Sequence, residues 1–94
     1  MKARGSDYCI LNGTKLKILK VLEDRQLKHT EIRDLTDLSF SNSYYHLMIL
    51  IDFGFITRRH ELVPQINKKK EKAVWFFRLT AKGYDAVRYF EAKE

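Results

Sequence analysis

Two groups of residues in this sequence have the types and spacing to do chemistry. The first lies in LSFSNSYYHLMILIDFGFI, Leu38 to Ile56, and contains Ser41, Asn42, Tyr44, Tyr45 and Met48. At about 100° per residue, Ser41, Tyr45 and Met48 share one side of a helix, flanked by Asn42 and Tyr44, while Ser43, Leu47 and Leu50 fall on the other. The second group is cationic: Arg58, Arg59, Lys68, Lys69, Lys70 and Lys72. Hydroxyls, an amide and phenols make directional hydrogen bonds, whereas guanidinium and ammonium groups neutralise anions. This is the chemistry of recognition. Bond-making chemistry has no matching signature, because there is no Gly-rich phosphate loop, no nucleophile paired with a base and no carboxylate cluster. The chain therefore reads as a non-enzyme, with no cofactor.

Charge distribution sharpens that reading. The net charge is +6, but residues 1 to 20 carry +4, residues 21 to 57 carry −3, and residues 58 to 72 carry +4 again. Positive charge thus brackets the central stretch, which suits a polyanionic partner. Lys15 and Lys17 are secondary candidates for that contact. A length of 94 residues with 45% hydrophobic content accommodates one domain with one modest core. Its apolar runs are too short to cross a bilayer and the N-terminus lacks a signal-peptide pattern, so the expected location is intracellular. His29, His46, His60 and the single Cys9 have no metal-binding spacing, so no metal site is expected. Cys9 reads as a buried thiol or as a bridge to the same residue of a second subunit.

The elements that must position these groups follow in chain order. Residues 1–13 form an N-terminal extension, with Asn12 or Thr14 capping a first helix over 14–26. The apolar residues of that helix cover more than one stripe, which suggests contacts on two sides. Leu27 and Lys28 link to a second helix, 30–36, capped by Thr30 and directing Ile32 and Leu35 inward. Asp37 suits a sharp left-handed turn. Ser39 or Ser41 then caps a longer helix, 40–53, which Gly54 stops. Residues 55–79 read as a β-hairpin around a polar, lysine-rich loop, with Pro64 at the strand edge and Trp75 and Phe77 on one face. Thr80 caps a last helix, 80–92, whose apolar arc again exceeds one stripe. The fold class is α+β, a three-helix core with a two-stranded hairpin and a C-terminal helix. A homodimer is expected, with Ile10, Leu11, Tyr84, Val87 and Phe90 at its interface.

From about Thr14 to Phe90 the chain resembles the winged helix-turn-helix transcription regulators. The LSFSNSYYHLMILIDFGFI stretch is similar to the ArsR-type segment in which a serine-rich start leads to a His-Leu pair, here His46 and Leu47, and to a glycine before the wing, here Gly54. FRLTAKGYDAV is similar to the Leu-Thr-x-Lys-Gly ending of the wing in MarR-like and PadR-like proteins, here Leu79, Thr80, Lys82 and Gly83. Size and composition are also similar to winged-helix proteins encoded by viruses of hyperthermophilic archaea, for which the compartment is host cytoplasm. The resemblance implies double-stranded DNA as partner, the second helix of the pair in the major groove, the wing on phosphates, and a two-fold dimer. It departs from the pattern in lacking any Lys or Arg between Ser41 and Phe53, which speaks against guanine readout by an arginine fork. A competing expectation is a protein-interaction domain that buries Met48, Ile49 and Ile51 against another protein.

Overall fold

The structure is a computed structural model that describes residues 5–11, 13–63 and 72–92. Lys2, Arg4, the cap candidate Asn12, Pro64 and the lysines Lys68, Lys69 and Lys70 lie outside the described residues. A short 3-10 turn at Gly5–Ile10 leads to α1 (Gly13–Val21), β1 (Leu27–Lys28), α2 (His29–Thr36), α3 (Phe40–Asp52), β2 (Ile56–Val63), β3 (Lys72–Leu79) and α4 (Ala81–Glu91). The strands form an antiparallel sheet in the order β1-β3-β2.

Asp24 and Asp37 set where the first helices stop. Asp24 has φ 65° and Asp37 φ 56°, left-handed conformations that aspartate tolerates better than most residues with a Cβ. α1 therefore ends at Val21, five residues before the expected 26, and the turn that follows throws Leu27 and Lys28 into the sheet. These two residues pair with Phe77 and Phe76, so the expected link is a third strand and the sheet is not two-stranded. α2 starts at His29 rather than at Thr30; the Glu31 carboxylate accepts the Lys28 backbone N–H at 3.0 Å and ties down the entry. Leu35, expected inward, is exposed, because Ile32 and Thr36 take the buried side of this short helix. Thr36 satisfies its hydroxyl by donating to the Ile32 carbonyl at 2.6 Å.

The core is shared by every layer. Ile18, Leu19 and Leu22 pack with Ile32, with Leu47 and Leu50 of α3, with Phe77 and Leu79 of β3 and with Ala86 and Val87 of α4. Leu11 also belongs to it. Leu11 and Val87, expected at a dimer interface, are thus spent inside the monomer and have no surface to offer a partner. For Leu11 the cause is the N-terminal turn. It folds back so that the Tyr8 ring lies 4.6 Å from Tyr89, 5.9 Å from Phe90 and 6.2 Å from Phe55. Burial at Leu11 then follows.

The ends of α3, β2, β3 and α4 meet at one junction. Gly54, with φ 79°, turns the chain out of α3, and Phe55 is fully buried immediately after it. The Phe55 carbonyl accepts the Thr80 backbone N–H at 3.1 Å, and the Thr80 hydroxyl reaches the Gly54 carbonyl at 2.5 Å. The same hydroxyl oxygen accepts the Gly83 N–H at 3.2 Å, capping α4 as expected. A Cβ on Gly83 would collide with the Phe55 carbonyl oxygen, which is backbone and cannot move aside cheaply. Gly83→Ala should therefore destabilise the fold by about 1–3 kcal/mol, read as a melting-temperature drop of roughly 4–8 °C per kcal/mol. Gly13→Ala meets nothing within 4 Å and serves as the neutral control; equal melting of the two variants would refute the packing argument.

Candidate nucleic-acid interface

The N-terminal half of α3 is built from two serines with opposite tasks. Ser39 is the N-cap, its hydroxyl oxygen accepting the Asn42 backbone N–H at 3.3 Å. Ser43, one turn in, is fully buried. Its single hydroxyl hydrogen is directed at the carbonyls of Ser39 (2.9 Å) and Phe40 (3.0 Å), and His29 Nε2 lies 2.6 Å from the same oxygen. With the serine hydrogen spent on backbone, the serine oxygen accepts from Nε2–H of His29. This contact locks the start of α2 to the start of α3. The His29 ring also lies 4.7 Å from Phe40 and 6.4 Å from Phe77, so one imidazole touches both helices and the sheet.

The opposite face of α3 is open. Ser41, Asn42, Tyr44 and Tyr45 are all exposed, Tyr45 at 62%, while Met48 is half-buried. Phe40 is exposed at 58% and stacks on Tyr44, with centroids 6.2 Å apart and planes at 10°. Two i,i+4 ridges, Phe40–Tyr44–Met48–Asp52 and Ser41–Tyr45–Ile49, enclose a groove of about 440 Å³. Positive charge borders both ridges. The Arg33 guanidinium lies 5.6 Å from the Phe40 ring and the Lys15 ammonium 5.9 Å from the Tyr45 ring.

Strand register separates the two wing arginines. Arg58 pairs across from Phe77 and Arg59 from Phe76, so their side chains leave opposite faces of the hairpin. Arg58 stacks over Trp75 at 4.6 Å, and His60 packs on the same indole at 4.5 Å. Arg59 is held by Glu61 at 3.5 Å in an exposed pair. Trp75 and Phe77 do share a face, as alternation predicts, but Phe77 is buried and Trp75 lies beyond the core. Lys72 opens β3 opposite Val63.

The structure therefore brings Ser41, Asn42, Tyr44, Tyr45 and Met48 onto one helical edge, with Arg58 and Arg59 on the hairpin that follows. It redirects the two secondary lysines. Lys15 is 7% exposed, and Lys17 donates to the Thr36 carbonyl at the C-terminus of α2, 3.3 Å away. Cys9 is exposed on the N-terminal turn, which overturns the buried-thiol expectation. The sequence reading missed His29, Arg33 and Phe40. The spacing of Phe40 four residues before Tyr44 was the available signal for the aromatic ridge. Nothing local marks His29, whose partners come from α3 and β3. Among the described residues, no three His, Cys, Asp or Glu side chains come together as a metal site would need.

A helix-turn-helix of α2 and α3, backed by α1 and flanked by an antiparallel hairpin, defines a winged helix-turn-helix domain. The chain belongs to the arsR family of bacterial regulatory proteins, whose pattern it matches over residues 12–58. Solved structures share the fold. PadR of Bacillus subtilis, in complex with operator DNA, has a TM-score of 0.72 at 23% identity, over 88% of this chain and 49% of PadR. The adhesin competence repressor of Streptococcus pyogenes has a TM-score of 0.72 at 17% identity, over 88% and 57%. A homodimeric winged helix-turn-helix DNA-binding domain from Mycobacterium bovis, of a possible ArsR-family regulator, has a TM-score of 0.64 at 19% identity, over 94% and 72%. This chain spans about half the length of PadR and of the competence repressor. No curated protein matches its sequence.

Two imidazoles give the site a pH dependence. Burial, reinforced by Arg33, holds His29 below the ordinary histidine value; burial and then Lys15 do the same for His46, whose Nδ1 is enclosed without a hydrogen-bond partner. The unfolded chain therefore binds protons that the fold resists, beginning near pH 6.5. Stability is full above that pH and is lost as pH falls from it toward the lower folded values. Urea unfolding should show decreasing stability from about pH 7 to pH 5. The His29→Asn/His46→Gln double variant should lose much of that slope. An unchanged slope would show that other groups carry it.

Proposed function

We propose that this protein binds double-stranded DNA with sequence preference and regulates transcription as a homodimer, α3 entering the major groove and the wing lying on phosphates. The observation that carries this reading is the exposed edge Ser41–Asn42–Tyr44–Tyr45 at the positive end of α3, held outward by the half-buried His29–Ser43 contact. Family membership supports the regulatory role, and arsR-type proteins are regulators rather than enzymes. PadR's complex with operator DNA and the homodimeric mycobacterial domain support partner and assembly. No helix among the described residues is long and apolar enough to cross a membrane, and the proposed site of action is intracellular.

In this reading the residues divide by task. Asn42 bonds the N6 and N7 edge of adenine, and Ser41 a base edge or phosphate. Arg58, Arg59 and the lysines Lys68, Lys69, Lys70 and Lys72 neutralise phosphates, so they supply affinity without sequence information. The remaining aromatic surface of Tyr8, Tyr89 and Phe90, with Ile10 and Tyr84, forms the dimer contact, and the exposed Cys9 lies beside it.

With about eight of a dimer's twelve such cationic side chains on phosphate at once, log affinity should fall against log salt with a slope of roughly −7. Arg58→Gln should weaken binding to all duplexes alike and flatten the slope by about one per subunit, while Asn42→Ala should relax the sequence preference. Mobility-shift titrations at several salt concentrations measure both. A slope near zero would remove duplex DNA as the partner. Sedimentation with and without reductant reads the dimer and any Cys9 bridge together.

A further inference from the structure

We infer that α3 reads thymine, its outer groove receiving the C5-methyl groups that thymines project into the major groove. This rests on the duplex-binding reading above and adds the class of site. Each base pair presents its own pattern in the major groove: guanine offers two acceptors, N7 and O6, whereas thymine offers one acceptor beside a methyl group. A pair of acceptors calls for strong donors, usually Arg or Lys. α3, FSNSYYHLMILID, has none along its 13 residues. In their place, rings and aliphatic chains form the groove of about 440 Å³, with Tyr45 and Ile49 facing Tyr44 and Met48. Burying a methyl group in such a groove is favourable without any hydrogen-bond partner.

Charge decides between DNA and an apolar protein helix as the occupant. Arg33, half-buried against Phe40, borders one ridge of the groove and suits the phosphates beside a major groove, while Lys15 is buried beneath Tyr45. Asp52 closes the C-terminal end of the groove and repels phosphate. The N-terminal half of α3, where the helix dipole is positive, therefore leans inward. Asn42 lies at that end, and its amide matches the N6 and N7 edge of adenine. Amide and methyl groove together describe A·T pairs, one element reading each strand.

The test uses the full chain. A site is selected from random duplexes and resynthesised with deoxyuridine in place of individual thymines, which removes only the methyl. The inference expects an A·T-rich site and an affinity loss of about fourfold for one methyl removed, or about fifteenfold for one from each half-site. Tyr45→Ala, at an exposed position, should keep the helical circular dichroism and erase the thymine–uracil difference, while Tyr45→Phe, which keeps the ring, should retain it. Equal affinity for thymine and uracil duplexes, or a selected site built on guanine, overturns the inference and leaves duplex binding standing. Discrimination that survives Tyr45→Ala overturns the groove as its reader. Failure to bind any duplex, with capture of an apolar helical peptide in the groove instead, overturns both readings.

Discussion

The carbonyl of Phe55 is the point on which the geometry depends. It accepts the Thr80 N–H, and the space beside it is open only because Gly83 has no side chain. Here α3 ends, β2 begins, β3 ends and α4 begins, within a few ångströms. Lys82 adds to the junction by donating to the Phe53 carbonyl at 2.6 Å, at the negative end of α3, with its ammonium 4.8 Å from the Phe55 ring. A recognition helix and a wing can act on one partner only if their relative orientation is fixed. These contacts fix it at the shared end, leaving the N-terminus of α3 and the hairpin free to project.

At the other end of α3 the constraint is polar and buried. Ser43 is fully buried where the start of α3 meets His29 of α2. Its hydroxyl costs little because Ser39, Phe40 and His29 satisfy it. A small, fully bonded residue on the inner side is what lets rings dominate the outer side. Phe40, Tyr44 and Tyr45 can stay exposed because Leu47, Leu50 and Ser43, with Met48 and Ile51 partly buried beside them, anchor the helix. The exposed apolar area is therefore available for an interface, and Arg33 beside Phe40 biases that interface toward an anion.

The wing shows how register governs function. Adjacent arginines look like one cationic unit in the sequence, yet alternation sends Arg58 onto Trp75 and Arg59 onto Glu61 on opposite faces. Stacking on an indole leaves the guanidinium edge open to bond an anion, whereas a carboxylate neighbour competes for it. The two arginines are thus unequal partners for phosphate. At the far side of the domain, Tyr8 inserts among Phe55, Tyr89 and Phe90, which joins the N-terminal turn to α4 and accounts for apolar residues there that a simple amphipathic stripe leaves over.

Local sequence determined a good deal. The caps at Ser39 and Thr80, the left-handed turn at Asp37, the stop at Gly54 and the two faces of α3 all follow from interactions within a few residues, where side-chain type and helical period are decisive. Tertiary structure alone decided the rest, because it depends on partners distant in the chain. Leu27 and Lys28 became a strand through pairing with Phe77 and Phe76, some fifty residues away. Leu11 and Val87 entered the core, Lys15 turned from solvent toward α3, and Lys17, still exposed, reached the Thr36 carbonyl at the end of α2. His29 is the clearest instance: its ring is defined by Ser43, Phe40 and Phe77, and no pattern within its own helix encodes that meeting.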